Sequence, residues 1–286
     1  MKTLVLGATG FIGSHVAREL VAQEIDVRIL RRGSSPTRAL EGLKVEPVLG
    51  DLNDPESLKK SMKDCKALFH VAGYYPLYSL DRERQKKIAL QQMKNVLEAA
   101  SNASIEKIIY TSSMSTMGKT VGVQNFEPLP SHEDTPYDPK DFTGLYYQIK
   151  YLQEQAAQQA VQSGSPIVII NPTGVFGDYD VKPTSGALVV EIAKGRLPAL
   201  FDAKMNAVDV RDVAKAQVTA LKKGKVGRRY LIGGCNTTVW ELAHWIARLA
   251  KVPPPRLKLP LLLGEGAACA SEWMGKLLHQ EKPLIP

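Results

Sequence analysis

Short apolar runs alternate with longer amphipathic stretches through the first 171 residues of the chain. Thr3–Leu6, Val27–Leu30, Val45–Leu49, Ala67–Val71, Lys107–Thr111 and Ile167–Asn171 are brief and mostly apolar, the pattern of parallel strands covered on both faces. Between them, Phe11, Ile12, Val16, Leu20 and Val21 recur at helical spacing, and helices are predicted at Pro55–Met62, Arg82–Ser101 and Phe142–Ser163. This alternation predicts an α/β fold: a doubly wound parallel sheet with right-handed crossovers. After Asn171 the rhythm breaks. A Pro/Gly turn, Asn171-Pro172-Thr173-Gly174, leads into mixed loop and helix from Asp178 to Met205, with a helix at Gly186–Gly195. A helix at Val210–Lys222 and a strand at Arg228–Ile232 return to the sheet. Trp240–Lys251 is an amphipathic helix stopped by Pro253–Pro255, and Gly264–His279 forms a last one.

Ligands on such sheets lie outside the carboxyl ends of the strands. The first strand runs straight into Gly7-Ala8-Thr9-Gly10-Phe11-Ile12-Gly13, which opens the first helix. Strand, glycine turn, helix is the order that holds a dinucleotide. Gly7 allows the tight turn, Gly10 lets backbone approach a pyrophosphate, and Gly13 lets the helix pack closely, while the helix N-terminus offers free N–H groups. Gly7, Thr9, Gly10, Phe11, Ile12 and Gly13 are therefore expected cofactor contacts in a Rossmann fold. Residues 1–171 with about 206–233 would form the nucleotide-binding body. Residues 172–205 and 234–286 would form a smaller C-terminal substrate lobe.

The second strand ends in Arg31-Arg32-Gly33. A carboxylate at this place would accept the ribose hydroxyls of NAD, whereas arginine suits the extra phosphate of NADP. NADP(H) is expected over NAD(H), with Arg31 and Arg32 as contacts. The fourth strand ends His70-Val71-Ala72-Gly73, where the small residues Val71, Ala72 and Gly73 let the chain pass close to a cofactor. His70 itself reads as a packed residue.

Tyr146 and Lys150 stand four apart, on one face of a helix. A phenol with a reference pKa of about 10 is a poor proton carrier at neutral pH. A neighbouring ammonium would pull that pKa down, and Lys150 could also reach the nicotinamide ribose. Tyr147 has Tyr151 at the matching position and lacks such a partner.

Composition adds exclusions. The net charge is +8, but the lysines and arginines are scattered, which describes a solvated basic surface and no nucleic-acid partner. The apolar stretch from Leu259 to Met274 is broken by Glu265 and Glu272, and the first residues lack a secretory layout. No membrane partner is expected. Cys65, Cys235 and Cys269 have neither zinc nor disulfide spacing, so no metal is expected and a cytoplasmic location is.

In order along the chain stand the glycine turn, Gly50-Asp51-Leu52, Thr111-Ser112-Ser113, the Tyr146/Lys150 pair and the Asn171-Pro172 turn. Together they resemble the extended branch of the short-chain dehydrogenase/reductase superfamily over residues 1 to 233. Within it the chain is similar to the dihydroflavonol-reductase-like group and to bacterial hopanoid-associated sugar epimerases, on His70-Val71-Ala72, Asp180–Thr184 and Asn206–Ala214. The resemblance implies a Ser-Tyr-Lys site in which Ser113, or Ser112 beside it, holds the substrate oxygen. It also implies Asp51 and Leu52 beside the adenine, Tyr146, Lys150, Pro172 and Thr173 at the cofactor, and a homodimer through the two long helices.

Two departures stand out. Ala89-Leu90-Gln91-Gln92-Met93 replaces an Asn-Val-x-Gly-Thr run, and Ile149 replaces a Ser or Thr before the lysine. An NADP(H)-dependent oxidoreductase acting on a carbonyl or alcohol of a small molecule is the expected function. The alternatives are a nucleotide-sugar epimerase or dehydratase, and a cofactor-binding redox sensor. Lys182, Arg196, Lys204 and Arg211 are the cations available for a diphosphate. Tyr74, Tyr75, Tyr78, Phe176, Tyr179 and Leu188 could line an apolar pocket.

Overall fold

A computed structural model describes residues 1–260 except Tyr75, Leu77, 121–122, 125–126, 129, 143 and 181–184. The first part contains β1 (Lys2–Leu6), α1 (Phe11–Ala22), β2 (Asp26–Arg31), β3 (Glu46–Leu49), α2 (Pro55–Met62), β4 (Ala67–His70), α3 (Arg82–Asn102) and β5 (Lys107–Thr111). A short hairpin, β6 (Val123–Gln124) and β7 (Glu127–Pro128), precedes α4 (Leu145–Gln162) and β8 (Ile167–Pro172). Then come β9 (Gly174–Phe176), α5 (Ser185–Ala193), β10 (Ala199–Phe201), β11 (Lys204–Asp209), α6 (Val210–Lys223) and β12 (Arg229–Ile232). The described chain closes with β13 (Cys235–Thr238), α7 (Val239–Ala250) and β14 (Leu257–Leu259).

Seven strands form one sheet in the order β12-β8-β5-β4-β1-β2-β3, with every neighbouring pair parallel. It is the predicted Rossmann-type α/β sheet. Period-two alternation sends side chains to both covered faces, which explains why the inner strands β1, β4, β5 and β8 are mostly apolar, whereas edge strand β3 is largely exposed. Leu4, Leu6, Leu68, Ile108 and Ile169 pack on Leu58, Met62, Met93, Val96 and Ala157 of α2, α3 and α4. Val5, Ile29, Phe69, Ile109 and Val168 pack on Val16, Leu20, Ala214 and Val218 of α1 and α6. The strand order reverses between β1 and β4, so a crevice opens at the carboxyl ends of these two strands.

Several boundaries move. The expected helix from Phe142 begins at Leu145 instead. Phe142 is extended (φ −135°, ψ 93°) behind a single 3-10 turn at Pro139–Asp141, and its ring stacks between Tyr137 and Tyr147 at centroid distances of 5.0 and 5.2 Å. The region read as loop and helix also holds strands: β11 lies between β9 and β13, and β10 pairs with β14. These strands are short and half-buried, and distant partners make them rather than an apolar run of their own. A separate small core joins α5 and α7 through Ile192, Leu200, Ala243 and Ala247. A reciprocal capping box between Thr238 and Glu241 starts α7. The helix expected at Gly264–His279 lies outside the described residues. Among those described, no helix is long and apolar enough to cross a membrane.

Candidate active site

The crevice at the strand ends is a cleft of about 530 Å³ that joins the glycine turn to the Tyr146 face of α4. Its first wall is backbone. Gly7 sits at φ +87°, and a Cβ there would stand 2.7 Å from the Ala72 nitrogen. A Cβ on Gly13 would stand 2.1 Å from the Gly7 carbonyl oxygen. Gly13 therefore seats the helix on the turn itself rather than on the sheet at large. Gly10 is the extended N-cap of α1 and no side chain caps the helix there. The first N–H groups of α1 are thus left for an anion, and a pyrophosphate fits this wall.

Thr9, Phe11, Ile12, Val71, Ala72, Gly73, Pro172 and Thr173 line the same cleft. Its continuation, about 470 Å³, is lined by Arg31, Arg32, Gly50, Asp51 and Leu52. Arg32 borders both parts. Asp51 accepts from the backbone N–H and the side-chain amide of Asn53 at 2.9 and 2.7 Å. Asp54, not Asp51, caps α2, accepting from the Glu56 N–H at 3.1 Å. Asn95 reaches from α3 to the Leu52 carbonyl at 2.9 Å.

The second wall is built of side chains. Ser113 follows β5 and starts a 3-10 turn, its Oγ accepting from the Ser115 N–H at 3.1 Å. The Tyr146 hydroxyl donates to the same Oγ at 3.2 Å, which separates Ser113 from Ser112, although both border the cleft. Lys150, one helical turn on, is buried and lines the cleft as well. Burial pulls its ammonium down to about 8, while the charge of Glu154 acts in the opposite sense.

The electrostatic expectation for Tyr146 is reversed. Burial raises its phenol above the usual value, and the Ser113 and Ser115 hydroxyls only oppose that shift. Burial penalises the phenolate, and the neighbouring Tyr147 ring hydroxyl acts in the same sense. His70 is buried, and burial, then the Lys150 charge, lowers it to about 3. It stays neutral and serves as packing against Tyr110, with ring centroids 5.4 Å apart.

One group escaped sequence reasoning. Glu154 lies a further turn beyond Lys150 on the same helical face, and is 2% exposed. Its Oε2 accepts from Thr116 Oγ1 and from Asn171 Nδ2, each at 2.7 Å, and its Oε1 is 2.9 Å from Arg229 Nε. The i, i+4, i+8 spacing of Tyr146, Lys150 and Glu154 carried a signal. Thr116, Asn171 and Arg229 come from three distant parts of the chain and carried none.

Fold and site define a nicotinamide-dependent oxidoreductase. Residues 3–233 match the NAD dependent epimerase/dehydratase family, and the chain belongs to that family, as an NAD(P)-dependent oxidoreductase of the extended short-chain type. It is 36% identical to the putative dihydroflavonol 4-reductase of Synechocystis sp., over 91% of this chain and 75% of that protein. The crystal structure of gox2253 is 36% identical with a TM-score of 0.86, covering 98% of this chain and 84% of the other. That of PA4631, described as a nucleoside-diphosphate-sugar epimerase from Pseudomonas aeruginosa, is 26% identical with a TM-score of 0.83, covering 95% and 84%.

Proposed function

We propose that the protein reduces the carbonyl of a small organic substrate, or oxidises the corresponding alcohol, with NADP(H) preferred over NAD(H). The observation that carries this reading is the hydroxyl pair of Ser113 and Tyr146, 3.2 Å apart, in one cleft with Lys150 and the glycine turn. A nicotinamide cofactor held in this cleft would supply the hydride. Ser113 Oγ already accepts two hydrogen bonds, so its own proton is free to hold a substrate oxygen. Tyr146, whose raised phenol keeps its proton at neutral pH, gives that proton up as the oxygen gains charge. Lys150 stabilises the phenolate left behind and orients the nicotinamide ribose. The glycine turn and the N–H groups of α1 hold the pyrophosphate, with Asp51, Leu52, Val71, Ala72, Gly73, Pro172 and Thr173 along the remainder of the cofactor.

Reduction is favoured over epimerisation of a nucleotide sugar by the charges in the cleft. Among the described residues lining its main part, the cations are Arg32 and Lys150. Arg196, Lys204 and Arg211 do not line it. Arg211 is held by Asp209 at 2.5 Å and Arg196 lies 3.8 Å from Glu191. Lys182 lies outside the described residues. The similarity to a reductase named for dihydroflavonol points the same way. The substrate would sit against the lobe formed by 172–205 and 234–286. A cytoplasmic homodimer through α3 and α4 completes the reading, and sedimentation as a monomer alone would contradict that part.

A panel of aldehydes, ketones and nucleotide sugars with NADPH and NADH, followed at the nicotinamide absorbance, tests the proposal. Net oxidation of NADPH with a carbonyl supports it; sugar product without net cofactor turnover contradicts it. Replacing Arg31 and Arg32 by alanine should weaken NADPH binding about ten- to a hundredfold with NADH nearly unchanged, as expected for lost charged hydrogen bonds. Equal dissociation constants for the two cofactors in the wild type would remove the preference.

A further inference from the structure

Glu154 makes no contact with the cleft, yet it is the most heavily bonded carboxylate near it. Thr116 and Asn171 both place donors on Oε2 at 2.7 Å. Gln158 adds a weaker bond to Oε1 at 3.3 Å, beside the ion pair with Arg229 at 2.9 Å. The partners are themselves tied to the turn that carries Ser113. Asn171 Nδ2 donates to the Ser113 carbonyl at 3.0 Å, and Arg229 donates to the Thr116 carbonyl at 3.0 Å. Thr116 has a single hydroxyl proton, within reach of both the Ser113 carbonyl at 2.9 Å and Glu154. The carboxylate draws it more strongly, leaving Asn171 to hold the Ser113 carbonyl.

We infer that Glu154 is a positioning residue: through Thr116, Asn171 and Arg229 it clamps the Ser113 turn to α4, and so sets the Ser113 hydroxyl against that of Tyr146. This deepens the carbonyl-reductase reading and rests on it. Donors from β8 and the Ser113 turn meet on Oε2 while the Arg229 guanidinium of β12 lies beside Oε1, an arrangement whose two sides both call for acceptor oxygens and whose cation calls for a carboxylate. A glutamine at this place turns an NH₂ either toward Thr116 and Asn171 or toward Arg229, and that side of the clamp opens. The carboxylate has a second effect on the same helix. The Lys150 charge acts on His70 of β4, and Glu154, one turn further along α4, supplies the charge that favours the Lys150 ammonium.

The test is Glu154→Gln, checked first for folding by circular dichroism and melting. Crystals of the variant should show the Ser113 and Tyr146 hydroxyls separated beyond hydrogen-bonding distance. In cofactor-free protein labelled with 13Cε-lysine, assigned with Lys150→Met, Lys150 should titrate about one pH unit lower than in the wild type, the scale of a lost neighbouring charge. A hydroxyl pair still at its original distance overturns the inference, whatever the Lys150 titration does. If Glu154→Gln does not fold, Thr116→Val takes its place. It removes one arm of the clamp and should lengthen the hydroxyl pair while leaving Lys150 titrating as before; an unmoved pair overturns the inference there too. Tyr146→Phe separates the two levels. Full activity in that variant defeats the reductase reading, whereas an inactive Tyr146→Phe beside an unaltered Glu154→Gln defeats only the clamp.

Discussion

The two ends of the cleft are built by opposite means. At the glycine turn the ligand-facing surface is backbone, contributed by residues next to one another, and its demand is the absence of side chains at Gly7, Gly10 and Gly13. At the Tyr146 end the surface is side chain, drawn from the turn after β5 and from α4, and braced by Asn171 and Arg229 of β8 and β12. The first end offers peptide dipoles that no titration alters. The second carries buried groups whose protonation depends on their surroundings. Binding and chemistry should therefore be separable by mutation, each failing without the other.

Tyr146→Phe asks this most severely. It removes the proposed proton donor and leaves the backbone cradle intact, so carbonyl reduction should fall roughly a hundred- to ten-thousand-fold. The NADPH dissociation constant should stay within about threefold, since no phosphate contact is touched. Parallel loss of both in titration calorimetry and steady-state kinetics would break the distinction.

Gly13→Ala is the converse. Its Cβ would stand 2.1 Å from the Gly7 oxygen, a backbone atom that cannot swing aside. Such overpacking should cost about 1–3 kcal/mol of stability and weaken cofactor binding, while turnover at saturating NADPH stays close to wild type. Denaturation and kinetics at high cofactor check it; a variant with normal binding would show that the cradle tolerates a shift.

The smallest effect is one of pH. Folded Lys150 gives up its proton at about 8, whereas in the unfolded chain lysine does so near about 10.4. Between these values the unfolded state holds more protons, so this residue's contribution to stability rises with pH across that window. The ammonium that the proposed mechanism uses is lost over the same range. Activity should decline as pH rises through about 8, and Lys150→Arg should flatten that decline. NADPH affinity at the glycine turn should show no matching limb, which pH-dependent titrations can verify.

This difference also explains what could be read from the chain. The glycine turn was legible because strand, turn and helix signals fall within adjacent residues. Tyr146 and Lys150 were legible through helical spacing, as were the sheet strands through their apolar runs. The shift of the Tyr146 phenol was not, because its sign depends on how deeply α4 buries the ring. Thr116, Asn171 and Arg229 gather on Glu154 only once β8 and β12 pair, and spacing along the chain carries no trace of it. The strands β9, β11 and β13 were hidden for a similar reason, as each exists by virtue of its partners.

The most direct trial is a crystal structure with NADPH bound. The expected result is the pyrophosphate on the N–H groups that open α1, with the nicotinamide under the Tyr146 hydroxyl and its ribose beside Lys150. A cofactor seated elsewhere, or a phenol turned away from the nicotinamide, would contradict the assignment of Tyr146 as the proton donor.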